Sequence, residues 1–191
     1  SADLPYFVKA LHFNSRLTSL PIYGPTGNQR MPSTSEYVKA LFAKQGAYRY
    51  LNDYINGDNH VQLSAHDVPF NLQVTQVIRD DEYTIEAVSV YHGPIPSRAW
   101  RVNIAGASVV FSGDMSNRYQ TLQHLADRAT LLVAHNAVPE SATGSARLLH
   151  MPPSEIGRIA NMAKVGSVVL SHRMQRTLGR EKETQSFISE P

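Results

Sequence analysis

The stretch AWRVNIAGASVVFSGDMS, residues 99–116, decides the fold that this sequence predicts. Within it, RVNIAGASVVF places two strand-like runs on either side of an Ala-Gly pair, a pattern that predicts a β-hairpin. The second run passes directly into Ser-Gly-Asp, so this strand ends on the carboxylate of Asp114. Gly113 is expected to adopt a positive φ in a tight turn that aims Asp114.

The sequence on both sides of this hairpin predicts an α/β fold. The upstream runs NLQVTQVI (71–78) and YTIEAVSVYH (83–92) are rich in β-branched and aromatic residues, which favour strands. The downstream pattern alternates, as in a sheet covered by helices: a helix at 117–126, a strand at 130–134, a helix at 154–164 and a strand at 167–170. The region before residue 71 predicts four elements: a helix at 4–13, a strand at 21–23, a helix from a capping box at Ser33–Glu36 to about residue 45, and a helix at 47–55.

Composition limits the classes of function. The 191 residues are 42% hydrophobic, which is enough for one globular domain over residues 1–191. The 18 Lys and Arg against 16 Asp and Glu give a net charge of +2, too small to indicate nucleic-acid or membrane binding. No apolar run is as long as a membrane span, and a membrane partner is not expected. There is no cysteine, so metal ligands would have to be His, Asp or Glu.

Four apolar strands each run directly into a residue that could bind a metal: His92, Asp114, His135 and His172. In α/β sheets, ligands collect beyond the strand ends, where rigid backbone carries the side chains. Imidazoles and a carboxylate suit zinc, so the pattern predicts metal-assisted hydrolysis. The alternative is that these are unrelated strand-end residues with local hydrogen bonds.

The motifs around these residues resemble the metallo-β-lactamase superfamily, in its ribonuclease Z and arylsulfatase-like branch. HGPIPSRAWRV from His92, FSGDMS from Phe111 and VVLSH ending at His172 follow the order of the family's third, fourth and fifth metal motifs. Further matches in the same order are DLP at Asp3, IYGP at Ile22, AHNA at Ala134 and LLHMPP around His150. The resemblance covers nearly the whole chain and implies an αββα sandwich.

The resemblance also implies a set of roles. His92 would bind one zinc ion, Asp114 would bridge two ions and act in catalysis, and His172 would bind the second ion. His150 matches a position that stabilises the transition state or moves a proton; a plain loop residue is the alternative. The reaction would be hydrolysis of a phosphoester or sulfate ester, including phosphodiesterase chemistry, by metal-bound hydroxide.

The sequence departs from the family pattern at three positions. Asn136 stands where the family has the glutamate of a His-Glu-Ala motif, and Met151-Pro152 stand where Ser-Thr follows the later His. An acid/base relay through that glutamate is therefore not implied. The sequence has no long basic insertion of the kind with which ribonuclease Z holds transfer RNA. A small anionic ester is therefore favoured over nucleic acid as the substrate. His135 is interpreted as structural, as a hydrogen-bond partner of a metal ligand.

The family's HxHxDH metal loop does not occur in the sequence. The resemblance therefore implies the C-terminal portion of the fold, without its N-terminal strands and trimmed at the C-terminus. With two ligands per ion, zinc binding is expected to be weak or absent and the chain inactive alone. Exposed sheet edges would favour a homo-oligomer. The alternative function is a noncatalytic structural subunit that a partner chain completes.

Other charged residues carry weaker patterns. Arg98 and Arg101 could contact an anionic substrate, but surface positions are the favoured interpretation. The basic run 173–182 could line the mouth of a pocket, but a solvent-exposed face is the favoured interpretation. Solvated or capped positions are expected for the remaining histidines, which have no motif around them: His12, His60, His66 and His124.

Overall fold

The computed structural model describes residues 3–13 and 18–190, which divide into two compact units between Pro69 and Phe70. Each unit has a hydrophobic core of its own. No helix within the described ranges is both long enough and apolar enough to cross a membrane.

The first unit is a small α/β layer around two parallel strands. Strands β1 and β2 pair from Ser19 opposite Gln62 onward. Helices cover them through a core that includes Val8, Phe42 and Val61, all fully buried. The elements, with two short 3-10 helices, are α1 (Leu4–Ala10), a 3-10 helix (Leu11–Phe13), β1 (Ser19–Pro25), α2 (Thr34–Phe42), a 3-10 helix (Arg49–Leu51), α3 (Asp53–Asn56) and β2 (Gln62–Val68).

The second unit is a six-stranded mixed sheet in chain order, β3-β4-β5-β6-β7-β8. The first four strands are antiparallel neighbours, and the last three are parallel. The strands are β3 (Thr75–Arg79), β4 (Tyr83–His92), β5 (Ile95–Ile104), β6 (Ala107–Phe111), β7 (Leu131–His135) and β8 (Ser167–Ser171). The helices are α4 (Leu122–Leu125), α5 (Gly144–Leu149), α6 (Pro153–Met162) and α7 (Glu181–Ser189), with 3-10 helices at Asn117–Tyr119 and Gln175–Thr177.

One face of this sheet forms the main core. Val110 and Leu132 lie side by side in the register of β6 and β7 and are fully buried. They belong to one cluster with Leu122 of α4 and with Ile156 and Ile159 of α6. Because side chains alternate along a strand, the neighbouring residues point to the opposite face. The ends of the strands lie at the edge of the sheet, beyond this core, where polar side chains can reach solvent.

Several predicted elements are confirmed. The hairpin of β5 and β6 pairs Ile104 with Ala107 around an Ala-Gly turn, as RVNIAGASVVF predicts. The capping box is present: the Ser33 hydroxyl accepts from the Glu36 amide at 3.2 Å, and the Ser33 amide donates to Glu36 Oε2 at 2.8 Å. The helix it starts ends at Phe42 rather than near residue 45, because Ala43 is extended.

Other elements differ from the predictions. The helix predicted at 47–55 is two short pieces, Arg49–Leu51 and Asp53–Asn56. The helix predicted at 117–126 is also broken, because Gln120 adopts a left-handed φ of 53° between the 3-10 helix and α4. Strand β2 and helix α5 were not predicted at all.

Candidate metal centre

Four strands of the second unit carry their carboxyl ends to the same edge of the sheet. Strand β5 is antiparallel to both β4 and β6, so β4 runs parallel to β6. Strands β7 and β8 continue in that direction. The residues that end or follow these four strands therefore share one edge: His92, Asp114, His135 and His172.

Three imidazole rings converge on one oxygen of Asp114. Asp114 Oδ1 lies 2.9 Å from His135 Nδ1, 3.3 Å from His172 Nε2 and 3.6 Å from His150 Nδ1. The rings of His135 and His172 stack with centroids 4.9 Å apart. Asp114, His135 and His172 each offer a ligand atom, and these three atoms lie within 4.8 Å of one another. The arrangement is a candidate metal site.

The hydrogen bond of His92 fixes its tautomer. Its Nδ1 lies 3.0 Å from the carbonyl oxygen of Leu149 at the end of α5. A carbonyl can only accept, so Nδ1 carries the proton and the neutral ring keeps a lone pair on Nε2. Metal-ligating histidines are oriented by such a bond. The His92 ring lies 5.2 Å, centroid to centroid, from the His150 ring.

The turn after β6 positions Asp114. The buried hydroxyl of Ser112 donates to the carbonyl of Gly113 at 2.8 Å and accepts from the His135 amide at 3.1 Å. One side chain thus joins the end of β6 to the end of β7. Gly113 has a φ of 62°, as predicted, and a Cβ there would lie 3.1 Å from the Arg98 carbonyl oxygen.

Gly113→Ala is expected to destabilise the chain by about 1–2 kcal/mol, the cost of a left-handed residue with a Cβ, and to weaken any metal binding at the candidate site by displacing Asp114. Gly106→Ala is the matched control, because Gly106 also has a positive φ, 77°, but has open space around it in the β5–β6 turn. Urea unfolding and zinc titration of both variants test this. Equal zinc affinities in the two variants would contradict the positioning role.

The electrostatics of the cluster favour an ionised Asp114. The hydrogen bond from His135 lowers the pKa of Asp114 below its ordinary value; burial opposes the shift, and the nearby His172 and His150 rings add to it. Burial lowers the pKa of His150, with Asp114 opposing the shift. The cluster thus combines an anionic oxygen with a histidine that is neutral at pH 7.

The structure brings most of the predicted site residues together. Asp114, His150 and His172 lie in one cluster, and His92 lies beside it next to His150. The ligand roles of His92, Asp114 and His172 stay predictions. His135 was interpreted as structural, as a hydrogen-bond partner of a ligand, and it does make the shortest contact to Asp114; in addition, it is one of the three grouped donors. The signal in the sequence for this role was the position of His135 at the end of an apolar strand.

Neither of the two arginines of β5 is a surface residue. Arg98 is only 6% exposed, and burial lowers its pKa. Arg101 donates to the carbonyls of Leu125 and Asp127 at 2.9 and 2.7 Å, so it ties β5 to the end of α4. The favoured surface interpretation is therefore wrong for Arg98, whereas the Arg101 side chain is partly buried, with 17% of it exposed.

The basic run at 173–182 is largely engaged in local contacts. Arg173 pairs with Glu181 at 2.7 Å, and Arg180 pairs with Glu183 at 3.5 Å. Arg176 instead turns toward the loop after β7, where its Nε donates to the Ala137 carbonyl at 2.5 Å. Its charge contributes to lowering the pKa of His150. Arg176 is thus the member of the run that lies near the cluster.

Comparison with solved structures gives the fold its name. YhfI from Bacillus subtilis, a metallo-β-lactamase fold protein, matches 98% of this chain with a TM-score of 0.67 and 21% identity. The short form of human tRNase Z matches 91% with a TM-score of 0.67 and 17% identity. Zinc-bound PqqB from Methylobacterium extorquens matches 88% with a TM-score of 0.57 and 10% identity.

The chain spans 66%, 68% and 59% of the lengths of those three structures, respectively. No protein-family model matches the sequence, and no curated protein matches it either. The order of motifs and the structural matches agree on the predicted architecture. This chain has the metallo-β-lactamase fold.

Proposed function

We propose that this chain is a zinc-dependent hydrolase of small phosphoesters or sulfate esters, with the ion held by Asp114, His135 and His172. His135 adds a third donor to the two per ion that the motifs alone implied, so we expect the chain to bind one ion and to act on its own. The observation that carries the proposal is that Asp114, His135 and His172 each offer a ligand atom and that these three atoms lie within 4.8 Å of one another. Nitrogen and oxygen donors from three side chains, with a further position open, match the ligand set of catalytic zinc sites. PqqB, which has the same fold, was solved with zinc.

The donors fit a cation on their own chemistry. His150 Nδ1 is buried and has no hydrogen-bond partner among the described residues. The imidazoles of His135, His150 and His172 surround one carboxylate oxygen, and His172 at this position holds a left-handed φ of 50°. Backbone strain of this kind clusters at functional sites. A zinc ion held there would acidify a water molecule and neutralise charge on the ester oxygen.

The residues of the chain have distinct tasks in this proposal. Asp114 stays ionised, and in the metal-free chain its hydrogen bond with His135 orients that ring. His92 is held by the Leu149 carbonyl and directs Nε2 away from α5. His150 is neutral and exchanges a proton at Nδ1 with the reacting groups. These roles need no glutamate at position 136.

Zinc-dependent hydrolysis of chromogenic esters tests the proposal. The purified chain, loaded with zinc, is expected to release nitrophenolate from bis(4-nitrophenyl) phosphate, 4-nitrophenyl phosphate or 4-nitrophenyl sulfate, and chelation is expected to stop the release. Asp114→Asn keeps the shape of the side chain and should abolish the activity. Turnover that survives both chelation and Asp114→Asn would refute the proposal.

A noncatalytic subunit completed by a partner is the second candidate. Phe111 and Val169 lie on the sheet face opposite the main core, in register through Val133, and are 44% and 50% exposed. Exposed apolar area on a sheet favours association. Zinc-loaded chain without turnover that forms oligomers in light scattering would support this candidate over the hydrolase.

A further inference from the structure

A cavity of about 440 Å³ lies beside the candidate metal centre in the second unit. His150 belongs to both, because it lines the cavity and its Nδ1 lies 3.6 Å from Asp114. We propose that this cavity binds the portion of the ester substrate that lies away from the cleaved bond. The cavity would select a portion that carries both an anionic group and a hydroxyl or amino donor. The identification of that ligand as a substrate rests on the proposed function.

Asn117 supplies the preference for a donor. The side chain is 9% exposed, and its Nδ2 donates to Glu155 Oε1 at 2.8 Å and to Gln123 Oε1 at 3.1 Å. A carboxylate can only accept, so the contact with Glu155 fixes the orientation of the amide. Asn117 Oδ1 is left buried with no hydrogen-bond partner among the described residues. Buried acceptors are costly unless a donor reaches them.

Two arginines at the cavity supply the preference for negative charge. Arg118 is held by an aromatic ring: its Nη1 donates to the Tyr91 hydroxyl at 3.2 Å, and its guanidinium lies 4.9 Å from the centre of that ring. Arg147 lies 3.6 Å from Glu140, whose carboxylate already accepts from Ser154 at 2.7 and 2.9 Å. Both guanidiniums keep donors for an anion.

The remaining wall narrows the class of ligand. Glu155 is the carboxylate among the described lining residues, and its charge is matched by Arg158 at 2.6 Å. Leu148, Met151 and Pro152 give the cavity an apolar side. The volume lies in the range of small-molecule sites. The chemistry fits a phosphorylated or sulfated polyol or amino alcohol.

Binding of two matched phosphates to the zinc-free protein tests this inference. The probes are 3-hydroxypropyl phosphate and propyl phosphate, which differ by the hydroxyl alone, with dissociation constants from calorimetry. We expect the hydroxylated probe to bind about fivefold more tightly, the size of one net hydrogen bond, and Asn117→Leu to remove the difference. Arg118→Gln and Arg147→Gln should each weaken both probes by about tenfold, as for a charge-assisted contact.

Arg79→Gln is the control, because Arg79 is exposed on β3, does not line the cavity and donates to the Gln76 side chain. If Asn117→Leu does not fold, the Asn117 side-chain amide resonances of the unmodified protein are followed instead, and they should shift with the hydroxylated probe only. Equal affinities for the two probes, or equal losses in the Arg79 and Arg118 variants, would overturn the inference. The binding measurement requires neither zinc nor turnover. Its result can therefore be interpreted even if the hydrolase proposal fails.

Discussion

Replacing Asp114 with alanine is expected to weaken zinc binding by more than about a hundredfold, since removal of even an outer-shell partner of a metal ligand typically costs 10–100-fold. Asp114 is the anionic donor of the cluster and the point on which His135, His150 and His172 converge. Without Asp114, the ion would be bound by imidazoles alone, which carry no negative charge.

Zinc titration against a competing chelator measures this loss. Asp81→Ala is the matched control, because Asp81 is an exposed carboxylate in the β3–β4 turn, away from the cluster. A melting curve for each variant separates loss of a ligand from loss of the fold. If Asp114→Ala and Asp81→Ala bind zinc equally well, the site is not where the three imidazoles meet.

His150→Gln is expected to lower kcat by about 10²- to 10⁴-fold, the range of a positioned acid or base, and to change zinc affinity by less than about threefold. Its Nδ1 is buried and unpartnered among the described residues, and it faces both Asp114 and the cavity. The pKa of His150 is lowered by burial, with Asp114 opposing and His92 adding to the shift.

The pH dependence follows from the sign of that shift. A base is active at a pH above its pKa. The ordinary pKa of a histidine is about 6.5, and because the pKa of His150 is lowered, its ring stays neutral to a more acidic pH than an ordinary histidine. The rate should therefore fall only as the pH drops through that lower value, and His150→Gln should remove this limb of the profile. A large loss of zinc affinity in His150→Gln would instead identify His150 as a metal ligand.

The sequence was most informative where short-range pattern determines structure. The β5–β6 hairpin and the capping box at Ser33 depend on neighbouring residues, and both are confirmed. The placement of polar residues at the ends of parallel strands also brought Asp114 and His172 together correctly. The alternation of helices and strands in the sequence is typical of parallel strands, whose carboxyl ends share one edge of the sheet.

The missed features depend on tertiary contacts. Strand β2 alternates polar and apolar residues only weakly, and it is ordered by parallel pairing with β1, more than 40 positions earlier in the chain. The break at Gln120 depends on a left-handed residue that helical periodicity does not reveal. The hydrogen bond of His135 with Asp114 agrees with its interpretation as a partner of a ligand, whereas its place among the three grouped donors was not predicted.

The direction of the strands also bears on how the site is assembled during folding. Strands β4 to β6 pair through short turns, whereas β7 and β8 are joined by a crossover of 31 residues between His135 and Ser167. Contacts between residues close in the chain form before contacts that require long loop closure. His172 should therefore reach Asp114 late, so the catalytic cluster would mature only after most of the sheet that supports it.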